Sequence, residues 1–395
     1  MHPYIYRTHD NGKTWKKIVK GLPDDPINAV REDPFCKGLL YAGSECAVYV
    51  SFDDGESWQP LRLNMPCTSI RDLVVKDNDL VVATHGRSFW ILDDITALRH
   101  IAKQRTPKTV LYETGQAYRV RWNMNPDTPL PQEEPAGPNP PDGAIIDYYL
   151  EDDASTVSLE ISDASGRVVR TYRSDDTPYH IPPVNIPLYW IRPQQLLSAD
   201  EGAHRFTWDL HYQPIPAPPS YAIGAIYGQT PPNPISPWVM PGKYTVKLTV
   251  DGVVYRQPLT IKMDPRVKTS FKELQRIHTL SYQCYQHIKA IDTIIPQLHN
   301  LRKDISNALT TATGKAAVTL KDIDYRAARL EKNAPGSREE GLEHLKGILM
   351  GLMNLLNETE MPATTQVING VKEANAAFGQ LIGKWKEVKG EYGRL

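Results

Sequence analysis

The sequence has few cysteines, no excess of charge of one sign and no long apolar run, and each absence removes a class of protein. Lys and Arg total 45 against 46 Asp and Glu, without the basic excess that nucleic-acid-binding domains usually carry. No stretch approaches the roughly 20 apolar residues of a membrane-spanning helix. The four cysteines form neither a CxxC pair nor a disulfide framework. We therefore expect no nucleic-acid partner and no membrane span.

The common catalytic and cofactor motifs are missing as well. No HExxH, GxSxG, GxGxxG, P-loop or EF-hand pattern occurs in the sequence. His9, His204 and His211 have no partners at zinc spacing. Residues 1–4 do not open a basic and then apolar segment, which a secretory signal would require. We expect no metal, no cofactor and no signal peptide in this chain.

A repeat is present near the amino terminus. Thr8–Trp15 and Ser51–Trp58 share the pattern Ser/Thr-x-Asp-x-Gly-x-Ser/Thr-Trp, 43 residues apart. A weaker third copy without the Gly and Trp follows, in which Gly43 aligns with Thr84 and Asp53 with Asp94. This period is typical of one four-stranded propeller blade.

The repeated residues predict a tight turn between two strands. An Asp can accept hydrogen bonds from turn amides, Gly supplies a positive φ, and the Trp can bury a large face against the next sheet. We therefore interpret the repeat as a folding element. Its predicted structural residues are Asp10, Gly12, Trp15, Asp53, Gly55 and Trp58.

The pattern resembles the Asp-box, or BNR repeat, of sialidases, sortilin-like receptors and related propellers. Residues 80–95, 118–123, 129–135 and 206–210 are similar to segments of large bacterial BNR-repeat proteins, which carry glycosyl hydrolase-like or sortilin-like labels. Residues 1–105 would hold two to three blades, fewer than the four or more of a closed propeller. The resemblance implies a fragment, the C-terminal part of a longer protein that is secreted, periplasmic or at the cell surface.

The remaining chain is expected to form three further segments. Residues 106–146 include seven prolines between 126 and 141 and are predicted to be a connector with one strand over 109–122. Residues 147–264 read as short strands and predict a seven-stranded β-sandwich resembling Ig-like or fibronectin type III modules, interrupted by a proline-rich loop over 213–241. Residues 265–395 carry apolar stripes at helical spacing and predict a helical bundle, with Pro296 kinking or ending its first helix. The fold class is therefore mainly β, then α.

Two loops between the second and third strands of the blades hold the candidate ligand-binding residues. They contain Glu45 in one loop and His85 and Arg87 in the next, with Trp90 close behind. Such a group could bind an anionic group or a sugar. The alternative is that His85 and Arg87 only hydrogen-bond neighbouring blades. Cys36, Cys46 and Cys67 lie in the same region, so a disulfide is possible among them.

These features leave three functions open. The leading hypothesis is a non-catalytic binding or scaffold portion that recognises a glycan or a protein, with no catalytic residue assigned. The second is part of a sialidase-like glycoside hydrolase whose site is completed by other blades. The third is a sortilin-like receptor that binds a peptide. In each, an open propeller edge should be covered by a protein partner or a second copy of the chain.

Overall fold

Three small antiparallel sheets follow one another along the first hundred residues. The computed structural model describes residues 2–104, 108–121, 137, 139–221, 232–332 and 341–394. The first sheet contains β1 (Tyr6–Arg7) and β2 (Lys16–Lys17). The second contains β3 (Ile27–Glu32), β4 (Leu40–Ser44), β5 (Val48–Ser51) and β6 (Gln59–Pro60). The third contains β7 (Ile70–Lys76), β8 (Asp79–Thr84) and β9 (Phe89–Leu92).

The sheets follow the repeat, but only the second has four strands. In the first sheet, β1 and β2 stand where β5 and β6 stand in the second. In the third sheet, a helix, α1 (Thr96–Lys103), follows the third strand instead of a fourth strand. No closed propeller is seen among the described residues, which form a row of three sheets.

Apolar side chains between the sheets hold this row together. One cluster joins the first and second sheets and contains Ile5, Ile18, Leu40, Ala42 and Trp58. A second cluster joins the second and third sheets and includes Tyr41, Val48, Val50, Ile70, Leu73 and Leu80. A Cβ on Gly43 would lie 2.5 Å from a methyl carbon of Ile70, so this position needs a glycine for β4 and β7 to pack closely.

Two further sheets share one core in the middle of the chain. One has three strands in the order β10 (Val110–Leu111), β12 (Ala144–Leu150) and β15 (Gly202–Trp208). The other has five strands in the order β11 (Gln116–Arg119), β17 (Val253–Met263), β16 (Gly242–Val250), β13 (Val157–Asp163) and β14 (Val168–Arg173). Alternating residues of both sheets, such as Ile146 and Leu159, are buried in the same cluster.

These sheets also take strands from before the span 147–264. The single strand predicted over 109–122 is instead two short strands in different sheets, because β10 pairs with β12 whereas β11 runs parallel to β17. Trp122 and most of the proline-rich stretch 126–141 lie outside the described residues, as does 222–231 of the long loop. The Asp251-Gly252 hairpin between β16 and β17 is present as predicted, with both residues at positive φ.

Four helices form the carboxy-terminal region. They are α2 (Phe271–Ala308), α3 (Gly314–Glu331), α4 (Leu342–Asn357) and α5 (Thr365–Tyr392). The predicted stripes lie in the core, with residues such as Leu274, Leu349 and Trp385 buried. Pro296 does not end α2, which continues for three turns beyond it. No helix in the described ranges is both long and apolar enough to cross a membrane.

The helical region is docked on the two central sheets. Tyr285 of α2 donates a hydrogen bond to the carbonyl of Gln213 at 2.7 Å. Glu360, between α4 and α5, pairs with Arg119 of β11, and Thr269 donates to the Glu360 carbonyl at 2.5 Å. Sheets and helices share one apolar cluster, so the helices are a fixed part of the molecule.

Candidate functional site

The two Asp-box turns set the geometry of the repeat region. Asp10 accepts hydrogen bonds from the Thr14 amide at 2.8 Å and the Thr14 hydroxyl at 2.7 Å, and Thr8 donates to it at 2.9 Å. The hydrogen bonds from the amide and hydroxyl of Thr14, and to a lesser extent the bond from Thr8, lower the pKa of Asp10 to about 2. Gly12 has a φ of +87°, which a residue with a side chain rarely adopts.

The second turn repeats these bonds. Asp53 accepts from the Ser57 amide at 2.8 Å and from the Ser57 hydroxyl at 2.6 Å. Gly55 has a φ of +84°, and a Cβ there would lie 2.4 Å from Ile18. Each aspartate therefore uses its carboxylate to close its own turn.

Strand pairing brings the two predicted loops to one end of the second and third sheets. Both sheets have an irregular register at the same place, after Ile27 in β3 and after Ile70 in β7. Ile27 pairs with Ser44 and Ile70 pairs with Thr84. The sequence alignment of Gly43 with Thr84 was therefore wrong by one residue, because the register makes Ser44 the counterpart of Thr84. Glu45 and His85 then occupy the same position in successive hairpins.

Glu45 is held by side chains from three segments. The Asn28 amide donates to its Oε1 at 2.8 Å, and Arg71 approaches the same oxygen at 3.5 Å. The hydrogen bond from Asn28 is the main cause that holds the pKa of Glu45 below its ordinary value, and Ser69, Arg71 and His85 contribute less. Glu45 is thus a fixed carboxylate with cationic side chains nearby.

A disulfide braces this end of the sheets. Cys46 is bonded to Cys67, while Cys36 is free and buried. The Thr68 amide donates to the Cys46 carbonyl at 3.2 Å. The bond ties the loop that carries Glu45 to the segment that leads into β7.

His85 is fixed by its backbone and presents its side chain to solvent. Its amide donates to the Ser69 carbonyl at 2.8 Å, and Thr68 donates to its carbonyl at 3.3 Å. The side chains of His85 and Arg87 are exposed, and His85 lies close enough to Glu45 of the second sheet to act on its charge. Hydrogen bonds from these two side chains to the neighbouring sheet stay a prediction.

Arg87 and Trp90 belong to one tight turn. The Arg87 amide donates to the Thr84 hydroxyl at 3.1 Å, and the Trp90 indole donates to the Arg87 carbonyl at 3.0 Å. Gly86 and Ser88 have φ values of +80° and +61°. The turn therefore holds the backbone of Arg87 in place while its side chain is exposed.

Sequence reasoning missed Asn28 and Arg71 as members of this group. Neither belongs to a motif, and both reach Glu45 from strands that are distant in sequence. Ile27 and Ile70 are 43 residues apart, which is also the spacing of the two Asp-boxes. This equal spacing was the signal that could have placed Asn28 and Arg71 beside the hairpin loops. We call Asn28, Glu45, Arg71, His85 and Arg87 the hairpin-end cluster.

An acidic cleft lies between the third sheet and the central sheets. Its volume is about 620 Å³, and its walls include Asp79, Asp93 and Tyr118. Asp79 accepts from the Asp94 amide at 2.9 Å, and Asp94 accepts from the Thr96 amide at 3.0 Å. Burial and the charge of Asp79 raise the pKa of Asp93. These contacts show that Asp79 and Asp94 cap local backbone, and no group of three metal-ligating side chains occurs in the described ranges.

Comparison with known proteins identifies the repeat. The BNR/Asp-box repeat family model matches residues 6–17, which include β1, the first Asp-box turn and β2. A search of the curated proteins found no significant match.

Solved structures show little overall similarity. CopC from Methylosinus trichosporium OB3b is 10% identical, with a TM-score of 0.17 over 40% of this chain and 98% of its own. The computationally designed Ika8 protein is 10% identical, with a TM-score of 0.17 over 40% and 41%. The extracellular domain of a hybrid two-component system from B. thetaiotaomicron is 8% identical, with a TM-score of 0.20 over 67% and 29%. Scores this low carry no argument about fold or function, and the chain is characterised by its Asp-box repeat.

Proposed function

We propose that this chain is the non-catalytic binding portion of an exported Asp-box repeat protein, and that its hairpin-end cluster recognises an anionic glycan. The observation that carries the proposal is the strand register, which puts Glu45 and His85 at the same position of adjacent hairpins. Ligands that span two sheets could then contact both loops at once.

The chemistry of the cluster fits a sugar acid. Glu45 is a fixed acceptor for hydroxyl groups, whereas His85 and Arg87 are exposed donors. Arg87 has the planar fork that suits a carboxylate. The turn geometry fixes both loops before a ligand arrives, which reduces the ordering cost of binding.

The three sheets are proposed to be successive blades of a propeller. The Asp-box turns of the first two sheets, the 43 residues between Ile27 of β3 and Ile70 of β7, and the apolar contacts between adjacent sheets support this arrangement. The central sheets and the helices would then be a scaffold, with residues 147–264 as the Ig-like part and 265–395 as the bundle.

Export is supported by the cystine at this site. A disulfide between Cys46 and Cys67 persists in the periplasm or outside the cell, whereas the cytosol keeps thiols reduced. A secreted, periplasmic or cell-surface location is therefore part of the proposal.

A panel of uronic-acid and sialylated oligosaccharides, titrated calorimetrically, tests this function. His85→Ala and Arg87→Ala should each weaken binding about tenfold, the loss of one charged hydrogen bond. Lys76→Ala, at the opposite end of the third sheet, is the control and should bind as the wild type does. Binding that no variant of the cluster affects would contradict the proposal, and a peptide ligand bound without turnover would favour the sortilin-like alternative.

One observation favours a glycoside hydrolase as the second candidate. Asp93, whose pKa is raised by burial and by Asp79, lines the acidic cleft, and a protonated carboxyl is what a general acid requires. Release of sugar from the same panel, abolished in Asp93→Asn and retained in His85→Ala, would support this candidate. Absence of turnover with intact binding would support the non-catalytic function.

A further inference from the structure

One short segment, residues 67–70, lies between the two loops of the hairpin-end cluster. It leads into β7, and it is bonded to the loop of Glu45 at two points. Cys67 forms the disulfide with Cys46, and the Thr68 amide donates to the Cys46 carbonyl at 3.2 Å. We call residues 67–70 the bridge segment.

The other side of the bridge segment is bonded to the loop of the third sheet. The His85 amide donates to the Ser69 carbonyl at 2.8 Å, and the Thr68 hydroxyl donates to the His85 carbonyl at 3.3 Å. Ile70 pairs with Thr84 at the end of β8. The bridge segment is therefore part of the third sheet, and the disulfide fastens it to the second.

The loop of Glu45 is closed by bonds of its own. The Ser44 hydroxyl accepts from the amides of Cys46 and Ala47 at 3.0 and 3.1 Å, and the Ser44 amide donates to the Ala47 carbonyl at 2.9 Å. The Asn28 side chain that bonds Glu45 comes from the same sheet. The disulfide is therefore not needed to shape this loop, and its effect is to fix the distance from the loop to the third sheet.

The disulfide can be reached by a thiol in solution. Cys67 is exposed, and Cys46 is half-buried. The other two cysteines, Cys36 and Cys284, are free and buried, and burial raises the pKa of both thiols. Neither thiol is then ready to exchange with the disulfide, because the thiolate is the attacking species. Exposed disulfides are the ones that act as labile or regulatory bonds.

We propose that the bond between Cys46 and Cys67 is a reversible control of the hairpin-end cluster, and that a dithiol reductant switches ligand binding off by cleaving it. This inference rests on the proposed glycan function. One thiolate of the dithiol attacks the Cys67 sulfur, and the Cys46 thiolate leaves. The second thiolate of the dithiol attacks the mixed disulfide and releases Cys67. The dithiol is oxidised to a disulfide, and the protein takes up two electrons and two protons as two thiols.

Cleavage frees the Glu45 loop from the third sheet and leaves both sheets folded. The apolar cluster between the two sheets stays in place, and the Asn28 side chain still donates to the Ile70 carbonyl, 3.1 Å away in the oxidised chain. Glu45 and Arg71, which are 3.5 Å apart with the bond intact, are then no longer held at one distance. A ligand that spans both loops must order them itself, which weakens its binding.

Calorimetric titration with a uronic-acid oligosaccharide tests this control. The oxidised chain should bind about tenfold more tightly than the same chain in dithiothreitol, because ordering one or two side chains costs roughly that much affinity. Removal of the reductant in air should restore the affinity. The double variant Cys46→Ala, Cys67→Ala is the matched control, and it should bind as the reduced chain does, with or without dithiothreitol. Equal affinities of the oxidised and reduced wild-type chains would overturn the proposal.

A measurement without ligand separates this inference from the proposed function. Asn28 of the second sheet is the main cause that lowers the pKa of Glu45, whereas Ser69, Arg71 and His85 contribute less from the side of the third sheet. Reduction should therefore raise this pKa part of the way to its ordinary value, as followed by carboxyl carbon NMR.

Two results of that measurement would overturn the proposal. An unchanged pKa of Glu45 would show that the bond does not position the loop, and a reduced chain that unfolds at room temperature would show that the bond is a brace for the fold. A raised pKa in a chain that binds no glycan in either redox state would support the control of the cluster and contradict the proposed function.

Discussion

Trp15 and Trp58 hold the same place in the repeat but differ in environment. Trp15 is 61% exposed, and Trp58 is 3% exposed, with its indole donating to the Ile18 carbonyl at 2.9 Å. Trp58→Ala should therefore lower the free energy of unfolding by about 3–5 kcal/mol, measured by urea unfolding. Trp15→Ala should change it by less than about 0.5 kcal/mol, and equal losses for the two would contradict this account of the packing.

Asp10 should keep its charge in acid. Its pKa of about 2 in the folded chain is below the ordinary value of 3.8, and the cause is its bonds to Thr14 and Thr8. The stability that these bonds give is complete above pH 3.8 and is lost as the pH falls through about 2. Carboxyl carbon NMR measures this pKa directly, and Thr14→Val should raise it. A midpoint near 3.8 in the wild type would show that the turn does not form as described.

The sequence predicted these turns because every bond in them is local. The repeated Asp, Gly and Ser or Thr lie within a few residues of one another, so spacing alone was enough. The surroundings of Glu45 were not predictable in this way. Asn28 reaches it from the second sheet and Arg71 from the third. Their positions depend on irregularities of the strand register that no local pattern reveals.

At the scale of elements, one buried ion pair joins a strand to the helices. Arg119 of β11 and Arg121 both pair with Glu360, and both lie over the ring of Trp238. The side chains of Arg119 and Glu360 are only 5% and 9% exposed, so the pair is poorly solvated, and burial lowers the pKa of Arg121.

Glu360→Ala should destabilise the chain by about 3–5 kcal/mol, because two arginines would stay buried without a counter-charge. Glu373→Ala, at an exposed position of α5, is the matched control and should change stability by less than about 0.5 kcal/mol. Thermal unfolding of both variants checks this. A tolerated Glu360→Ala would mean that the arginines reach solvent.

Strands and helices were predicted to different extents. The apolar stripes of α2, α4 and α5 could be predicted from the 3.6-residue spacing, because that spacing does not depend on what the helix packs against. Of the two effects predicted for Pro296, an end of the helix is not seen, since α2 passes through it despite the lost backbone bond. β10 and β11 could not be separated by sequence, because their partners lie far away along the chain.

At the scale of the whole molecule, the junction between the central sheets and α2 should weaken in mild acid. His278 packs among Tyr212 and Tyr282, with the Tyr212 hydroxyl 3.2 Å from its Nε2. Burial, with Arg119 and Arg167, lowers the pKa of His278 to about 4.

Because the unfolded chain binds this proton near pH 6.5 and the folded chain does not, stability from this group is complete above pH 6.5. It decreases by about 2 kcal/mol between pH 7 and pH 5 and continues to fall toward pH 4. Urea unfolding at pH 7 and pH 5 measures the decrease, which His278→Phe should reduce. An identical decrease in that variant would assign the effect to other groups.

The shared core predicts that the helices cannot be removed without consequence. In the full chain, Tyr212 contacts His278 of α2 and Arg119 pairs with Glu360. Deleting residues 266–395 removes both partners. The shortened chain should lose solubility or unfold at a lower temperature, as seen by light scattering and calorimetry. Its hairpin-end cluster lies in the repeat sheets, so any soluble fraction should keep its affinity for glycan.

The most direct test of the proposed binding site uses the tryptophan indoles as reporters. The Trp90 indole donates to the carbonyl of Arg87, so a ligand on that turn must disturb its NMR signal, which Trp90→Phe assigns. Titration with a uronic-acid oligosaccharide should shift the Trp90 signal in a saturable way and leave the buried Trp58 signal unchanged. A saturable shift at Trp238 with Trp90 unaffected would place the binding surface at the central sheets, beside Arg119, and contradict the account.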